Sequence, residues 1–294
     1  MIDFFNAVLE FEFLQTAIIG GVLACIACGV IGTYIVTRRI TYIAGAIAHC
    51  VLAGVGGAYY LQKVHGLVWC DPFWGAFVSA ILAALIIAGI SLKAKQREDS
   101  VIGALWATGM ALGVLFINAT PGSNQELVGR LFGNIMLVSS TDLSLLVFLN
   151  IAVLTIGLGF YKQFFAICFD EQFARSRGIN VDAYYILLLV LTAITVVLLC
   201  SIVGIIMVIA LLTLPVAISS MFMKKLWHIM LSSISLSVIF MITGFGISYN
   251  LEYPPGAASI VFAGLIYLIM SACKAFVGRK PKVDITLEPC QCSK

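Results

Sequence analysis

The chain has 294 residues, of which 62% are hydrophobic and 11% are charged, and its formal net charge is +3. A soluble globular domain carries roughly 25% charged residues, so this composition excludes a soluble protein. A β-barrel would show short segments of alternating hydrophobicity, whereas the apolar runs here are about 20 residues long, the length that crosses a bilayer as a helix. The sequence therefore predicts an all-α polytopic membrane protein.

Nine apolar runs are predicted to be transmembrane helices. In chain order they cover residues 14–36, 41–62, 72–92, 100–118, 141–162, 183–203, 204–222, 229–249 and 257–277. Residues 183–222 are almost unbroken apolar sequence, and one helix of that length would extend about 60 Å, twice the thickness of the hydrocarbon core. We therefore expect a tight outer turn at residues 201–204. A chain with eight spans is the alternative, and it would have to lose a crossing elsewhere.

The basic residues predict the orientation of these spans. With the N-terminus outside and the C-terminus in the cytoplasm, 15 of the 17 basic residues fall on the cytoplasmic side and only Lys63 and Arg130 remain outside. An excess of lysine and arginine is typical of cytoplasmic loops. Basic clusters also flank both ends of residues 183–222, so both ends are expected in the cytoplasm, which again requires two crossings.

Two loops and the tail are expected to have their own structure or role. Residues 1–277 are interpreted as one helical transmembrane domain and residues 278–294 as a cytoplasmic tail. In this tail Cys290 and Cys292 either bind metal or belong to a flexible polar segment. The outer segment 125–137 has apolar residues at helical spacing and predicts a short amphipathic or re-entrant helix.

The cytoplasmic loop 163–182 predicts a short helix at about residues 169–178. Asp170 can cap it, Glu171 and Arg175 suit its first and last turns, and Gly178 can end it. Such a helix could lie on the inner leaflet or dock into a partner protein, and its spacing alone does not choose between the two.

His49 is the only histidine deep inside a predicted span. An imidazole in hydrocarbon costs free energy unless it faces a partner, a cavity or an ion, and it is a common ligand for zinc-type metals. The small residues around it in segment 44–54 let another helix or a solute come close. His49 is therefore either a packing residue or part of a translocation pathway.

Several enzyme classes are excluded by the motifs that are missing. The sequence has no G-x-x-x-x-G-K-[ST], no H-E-x-x-H and no G-x-S-x-G, so a P-loop nucleotide site and the corresponding metalloprotease and hydrolase sites are not encoded. Acidic residues are scarce within the spans, which argues against a proton relay. The sequence indicates a translocation pathway that is powered by another protein.

The chain resembles the permease subunit of the zinc/manganese/iron-type metal ABC importers. The resemblance covers about residues 12–272 and rests on motifs that occur in a fixed order. They are residues 26–34 with Arg38 and Arg39, residues 46–49 with Gly54, and residues 97–103, 131–135, 169–175 and 203–215.

The resemblance implies a multi-pass protein of the bacterial cytoplasmic membrane that is not itself an enzyme. It implies a second permease copy (the same chain or a homologue), cytoplasmic ATP-binding subunits, an extracytoplasmic metal-binding protein, no nucleic acid and no permanently bound cofactor. A divalent zinc, manganese or iron ion would be the transported substrate, and His49 would contact it. The helix that couples to the ATPase would be formed by Asp170, Glu171, Phe173, Ala174, Arg175 and Gly178.

One departure from the family changes the expected metal site. Many members carry an aspartate one helical turn before the histidine, and here that position is Gly45. Imidazole without carboxylate is a poorer site for a hard ion, so zinc is the first expectation and manganese and iron remain open. Cys25 and Cys28 share a helix face and could add soft ligands, or they are ordinary buried cysteines. The alternative function is a secondary metal transporter or channel that works without an ATPase.

Overall fold

The structure, a computed structural model, describes residues 2–67, 69–93, 98–121, 138–251 and 253–277. Within these ranges the chain is all-α and forms twelve helices and no strand. Helices suit these apolar runs because the hydrocarbon core offers no water to backbone polar groups, which must bond to one another. In chain order the helices are α1 (Ile2–Glu10), α2 (Glu12–Thr37), α3 (Thr41–Val64), α4 (Pro72–Lys93), α5 (Glu98–Ala119), α6 (Ser140–Gly159), α7 (Tyr161–Phe169), α8 (Glu171–Ser176), α9 (Val181–Ile202), α10 (Ile205–Phe222), α11 (Leu226–Leu251) and α12 (Pro255–Val277).

Nine of these described helices, α2 to α6 and α9 to α12, are long and apolar enough to cross a membrane. Their bounds lie close to those of the nine runs predicted from the sequence. The fold class is therefore confirmed by the length and composition of the described helices.

The turn between α9 and α10 is as short as predicted. α9 ends at Ile202 and α10 begins at Ile205. Gly204 has a φ of 92°, in a region that residues with a Cβ rarely adopt. Glycine at this position therefore lets one apolar stretch fold back as two spans.

The bundle has an enclosed centre and exposed flanks. α2 and α9 are the most enclosed spans, and α5 and α12 are the most exposed. α2 packs against α6, α10 and α11, and α9 packs against α4 and α3. α3 lies between α4 and α5 and contacts both along their lengths, so a residue on α3 is positioned by two neighbours.

Small residues allow α3 to approach these neighbours at backbone distance. A Cβ atom on Gly54 would lie 2.2 Å from the carbonyl oxygen of Gly75 in α4. A Cβ atom on Gly113 in α5 would lie 2.8 Å from the carbonyl carbon of Leu52, and one on Gly109 would lie 3.1 Å from Cα of Cys50. Close helix contacts of this kind are a main source of packing energy in membranes, and here they fix α3 against both α4 and α5.

Hydrogen bonds join α2 to α6 in the interior. The hydroxyl of Tyr34 donates to the carbonyl oxygen of Gly157 at 2.7 Å, and the side-chain amide of Asn150 donates to the carbonyl oxygen of Leu23 at 3.0 Å. Polar groups buried in a span need such partners. The two bonds hold α6 beside α2, so that α7 and α8 follow beneath the end of α2.

Some predicted features fall on residues that the structure does not describe. They are the outer segment 125–137, which includes motif residues 131–135, and the tail 278–294 with Cys290 and Cys292.

Candidate functional site

His49 lies on α3, about 12 Å from Thr41 along the helix axis at the usual rise per residue. Its side chain is half-buried. Its imidazole stacks on the indole of Trp106 in α5, with ring centroids 5.0 Å apart and an interplanar angle of 21°. The Nδ1 atom is buried and makes no hydrogen bond within the described part of the chain. An unsatisfied buried nitrogen is costly, and a metal ion is one partner that could satisfy it.

Gly45 precedes His49 by one helical turn on the same face. A Cβ atom at this position would lie 3.1 Å from Cζ3 and 3.2 Å from Cη2 of Trp106. The indole therefore fills the space that a side chain at position 45 would enter. The sequence showed that the carboxylate is missing, and the structure shows what occupies its place.

The cysteines that the sequence suggested as additional ligands are packed in the protein interior. Cys25 and Cys28 of α2 are fully buried, as expected for small residues in a helix interface. The thiol of Cys50 donates to the carbonyl oxygen of Leu105 at 3.5 Å. No group of three or more His, Cys, Asp or Glu residues that could hold a metal occurs among the described residues.

Within the segment predicted to be a helix at about residues 169–178, residues Glu171–Ser176 form a short helix, α8. The carboxylate of Asp170 accepts a hydrogen bond from the backbone N–H of Phe173 at 2.9 Å, which is an N-cap. The segment ends at Gly178, whose φ is 76°. Ala174 is fully buried, whereas Phe173 is 53% exposed. α8 therefore fixes one face to the bundle and presents an aromatic side chain outward.

Ion pairs connect α8 to the first turn of α9 and to the end of α2. Glu171 lies 3.1 Å from Arg175 and 3.5 Å from Arg38, and Arg175 also pairs with Asp182. The hydrogen bonds to Asp182 and Glu171 raise the pKa of the Arg175 guanidinium above its ordinary value. All six predicted coupling residues thus lie together at α8.

Arg38 is the residue at this site that sequence reasoning missed. Its guanidinium donates to the carbonyl oxygen of Ile167 and lies 4.4 Å from the ring centroid of Tyr185. Its side chain is only 15% exposed. In the sequence Arg38 shows the position that the positive-inside rule predicts and belongs to one motif of the resemblance, but its partners come from distant segments and could not be identified.

Cys168 completes the contacts beneath α2. Its thiol, on α7, donates to the carbonyl oxygen of Tyr34 at 3.6 Å. Burial raises the pKa of this thiol to about 12, although the nearby charge of Arg38 acts in the opposite direction. The thiol is therefore neutral at physiological pH.

A polar cavity of about 430 Å³ lies beside this cluster. Its lining includes Arg38, Glu171 and Tyr185, together with Ser91 at the end of α4. The hydroxyls of Ser91 and Tyr185 are 2.9 Å apart. The cavity therefore lies between α8 and the ends of α2, α4 and α9, and polar side chains from all four elements line it.

The chain is similar over nearly its whole length to known transport proteins. Residues 10–274 match the ABC 3 transport family. The chain is 42% identical over 245 residues to a probable metal transport system membrane protein of Chlamydia pneumoniae, with 83% of each chain covered. It is 32% identical over 267 residues to the manganese transport system membrane protein MntC of Halalkalibacterium halodurans, with 90% of this chain and 89% of the relative covered. PsaBC from Streptococcus pneumoniae, solved in complex with Fab, matches the fold with a TM-score of 0.79 at 31% identity, covering 92% of this chain and 95% of that chain.

Proposed function

Because the chain belongs to the ABC 3 transport family, we propose that it is the membrane-spanning subunit of an ATP-driven importer for a divalent transition metal. It is a multi-pass protein of the bacterial inner membrane and a member of a family of metal transport permeases. The metal proposed first is zinc, because imidazole suits zinc and position 45, one turn before His49, carries glycine in place of a carboxylate. Manganese, which the name of one relative gives for that relative, and iron are the other candidates.

The observation that carries this proposal is the buried, unbonded Nδ1 of His49. An intramembrane imidazole whose Nδ1 finds no hydrogen-bond partner among the described residues suits contact with a passing ion. Two copies of the chain, each with one His49, would line a shared central path. A site with few protein ligands also suits transport, because the ion must leave as well as enter.

We infer that a different partner binds at each end of the bundle. Cytoplasmic ATP-binding subunits, which supply ATP hydrolysis, would dock on α8 through its exposed Phe173. An extracytoplasmic metal-binding protein would deliver the ion at the opposite end, with the N-terminus outside and the C-terminus in the cytoplasm.

The contacts of Arg38 support α8 as the coupling helix. Arg38 caps the end of α2, just before α3 begins at Thr41, and α3 carries His49. A movement of α8 would act on Arg38 through Glu171, and from there on the base of α3. The proposed route from the ATPase to His49 is therefore short and continuous.

Uptake by the complete transporter tests the proposal. The complex, with ATPase and delivery protein, is placed in liposomes, and ATP-dependent uptake of zinc, manganese and iron is measured. His49→Ala should lower uptake about tenfold or more, the scale of losses at metal sites. His228→Ala is the matched control, because His228 is exposed at the start of α11.

Two outcomes of this experiment would contradict the proposal. Full uptake by the His49→Ala protein at normal protein level would remove His49 from the pathway. Uptake that proceeds without the ATPase would support a secondary transporter or channel instead.

A further inference from the structure

The contact between Gly45 and Trp106 bears on which ion the His49 site accepts. A Cβ atom at position 45 would meet the far edge of the indole at 3.1 and 3.2 Å. At these distances the indole would have to shift by a few tenths of an ångström, and it can do so only as one rigid ring. We propose that Trp106 is a specificity-determining residue, because it holds the place beside His49 that a second ligand from α3 would occupy. This inference rests on the proposed transport function of His49.

The geometry favours this role over simple packing. A residue one turn before His49 projects from the same face of α3, so an aspartate at position 45 would bring an oxygen ligand to the imidazole. Trp106 covers that position and also one face of the His49 ring, since the two rings are nearly parallel at 5.0 Å. One side chain thus blocks the neighbouring ligand position and fixes the plane of the imidazole.

The chemistry of the indole determines which ion the site prefers. Indole offers an N–H donor and no acceptor, so Trp106 adds bulk next to the ion but no ligand. Manganese prefers oxygen ligands, whereas zinc is well served by imidazole nitrogen. A site with Trp106 in the ligand position therefore accepts zinc in preference to manganese, and an oxygen ligand in that position would reduce the preference.

Four proteins test this inference in one cycle: wild type, Gly45→Asp, Trp106→Leu and the double variant. Each is assembled with the same ATPase and the same delivery protein, and initial uptake of radiolabelled zinc and manganese is measured. Because the delivery protein is constant, a change in the ratio between variants comes from the membrane subunit. In the double variant we expect the manganese-to-zinc ratio to rise about tenfold, the range that one altered pocket contact supplies.

The single variants show whether Trp106 is the obstacle. Gly45→Asp alone should shift the ratio much less than the double variant, because the indole still fills the space. An unchanged ratio in an assembled double variant would overturn the inference. An equal shift in Gly45→Asp alone would overturn it too. His49→Ala is run in parallel, and normal uptake by that variant would instead overturn the proposed function.

A stability measurement covers the case in which the double variant does not assemble. Gly45→Ala adds only the Cβ atom, and its effect on the unfolding temperature is compared in the wild-type and Trp106→Leu backgrounds. Gly45→Ala should be better tolerated in the Trp106→Leu background. Equal effects in the two backgrounds would show that Trp106 does not restrict position 45, which would also overturn the inference.

Discussion

The guanidinium of Arg38 lies 3.5 Å from the carboxylate of Glu171, and this ion pair joins the end of α2 to the start of α8. Both side chains are partly withdrawn from solvent, with 15% and 32% of their surfaces exposed. Arg38 also bonds to Ile167 and covers the ring of Tyr185. One arginine therefore links the end of α2 to α7, α8 and α9.

Arg38→Ala should uncouple ATP hydrolysis from transport. The substitution removes the ion pair between α8 and the end of α2, which leads directly into α3. Coupling between distant sites is typically worth about 1–3 kcal/mol, or about five- to 150-fold. We expect metal transported per ATP hydrolysed to fall about tenfold, measured in liposomes with the complete transporter.

Lys162→Ala is the control for this prediction. Lys162 is an exposed cation on the neighbouring helix α7, and no ion pair to it is found among the described residues. Unchanged coupling in the Arg38→Ala protein would show that the ion pair only stabilises the fold.

Phe173→Ser should weaken binding of the ATPase. The side chain is 53% exposed on α8, and aromatic anchors at an interface commonly cost about 2 kcal/mol or more when truncated. The expected result is loss of most of the ATPase from the purified complex. Phe222→Ser, which changes a residue of similar exposure at the end of α10, should retain the ATPase; equal retention by both variants would place the docking surface elsewhere.

Gly54→Ala should reduce the amount of folded protein. The added Cβ atom would lie 2.2 Å from the backbone oxygen of Gly75, and α3 and α4 would have to separate, at a cost of about 1–3 kcal/mol. Thermal unfolding in detergent measures the loss. Gly89→Ala in α4, where a Cβ atom meets nothing within 4 Å, should be neutral or stabilising by up to about 1 kcal/mol.

Cys168 should make stability fall at high pH. Burial raises its pKa from 9.0 to about 12, so the folded protein keeps the proton over a range in which the unfolded chain has lost it. The stabilising effect is complete below about pH 9 and is lost as pH rises toward 12. Cys168→Ala should flatten the decline in unfolding temperature across this range, and an identical decline in both proteins would contradict the prediction.

The same burial predicts slow alkylation of Cys168. Only the thiolate reacts efficiently, and this thiol is neutral near pH 8. Maleimide labelling followed by peptide mass analysis should modify the exposed Cys273 well before Cys168. Comparable labelling rates at the two positions would mean that α7, which carries Cys168, often separates from the end of α2.

The sequence predicted those parts of the structure that depend on residues close together in the chain. Apolar run length predicted the nine spans, and the capping carboxylate of Asp170 indicated where α8 begins, because both signals act within a short stretch of chain. The glycine turn before Ile205 followed from the length of hydrocarbon that one helix can cross.

Contacts between distant segments could not be predicted in this way. Trp106 lies in an ordinary apolar helix, and nothing near it in the sequence indicates that its ring meets His49 and the space above Gly45. Arg38 likewise reads as a common positive charge at the end of a span. Both contacts depend on how the helices pack, which the periodicity of a single helix does not determine.

The backbone contacts of Gly109 and Gly113 with α3 have a mechanical consequence. They make α3 and α5 a tightly fastened pair, while α5 remains one of the most exposed spans. If the transporter changes access by moving helices, His49 and Trp106 will travel together, as parts of one rigid body. If His49 contacts the ion as proposed, the choice of ion should be the same whether the path is open to the outside or to the cytoplasm, and a variant that alters selectivity should leave gating unchanged.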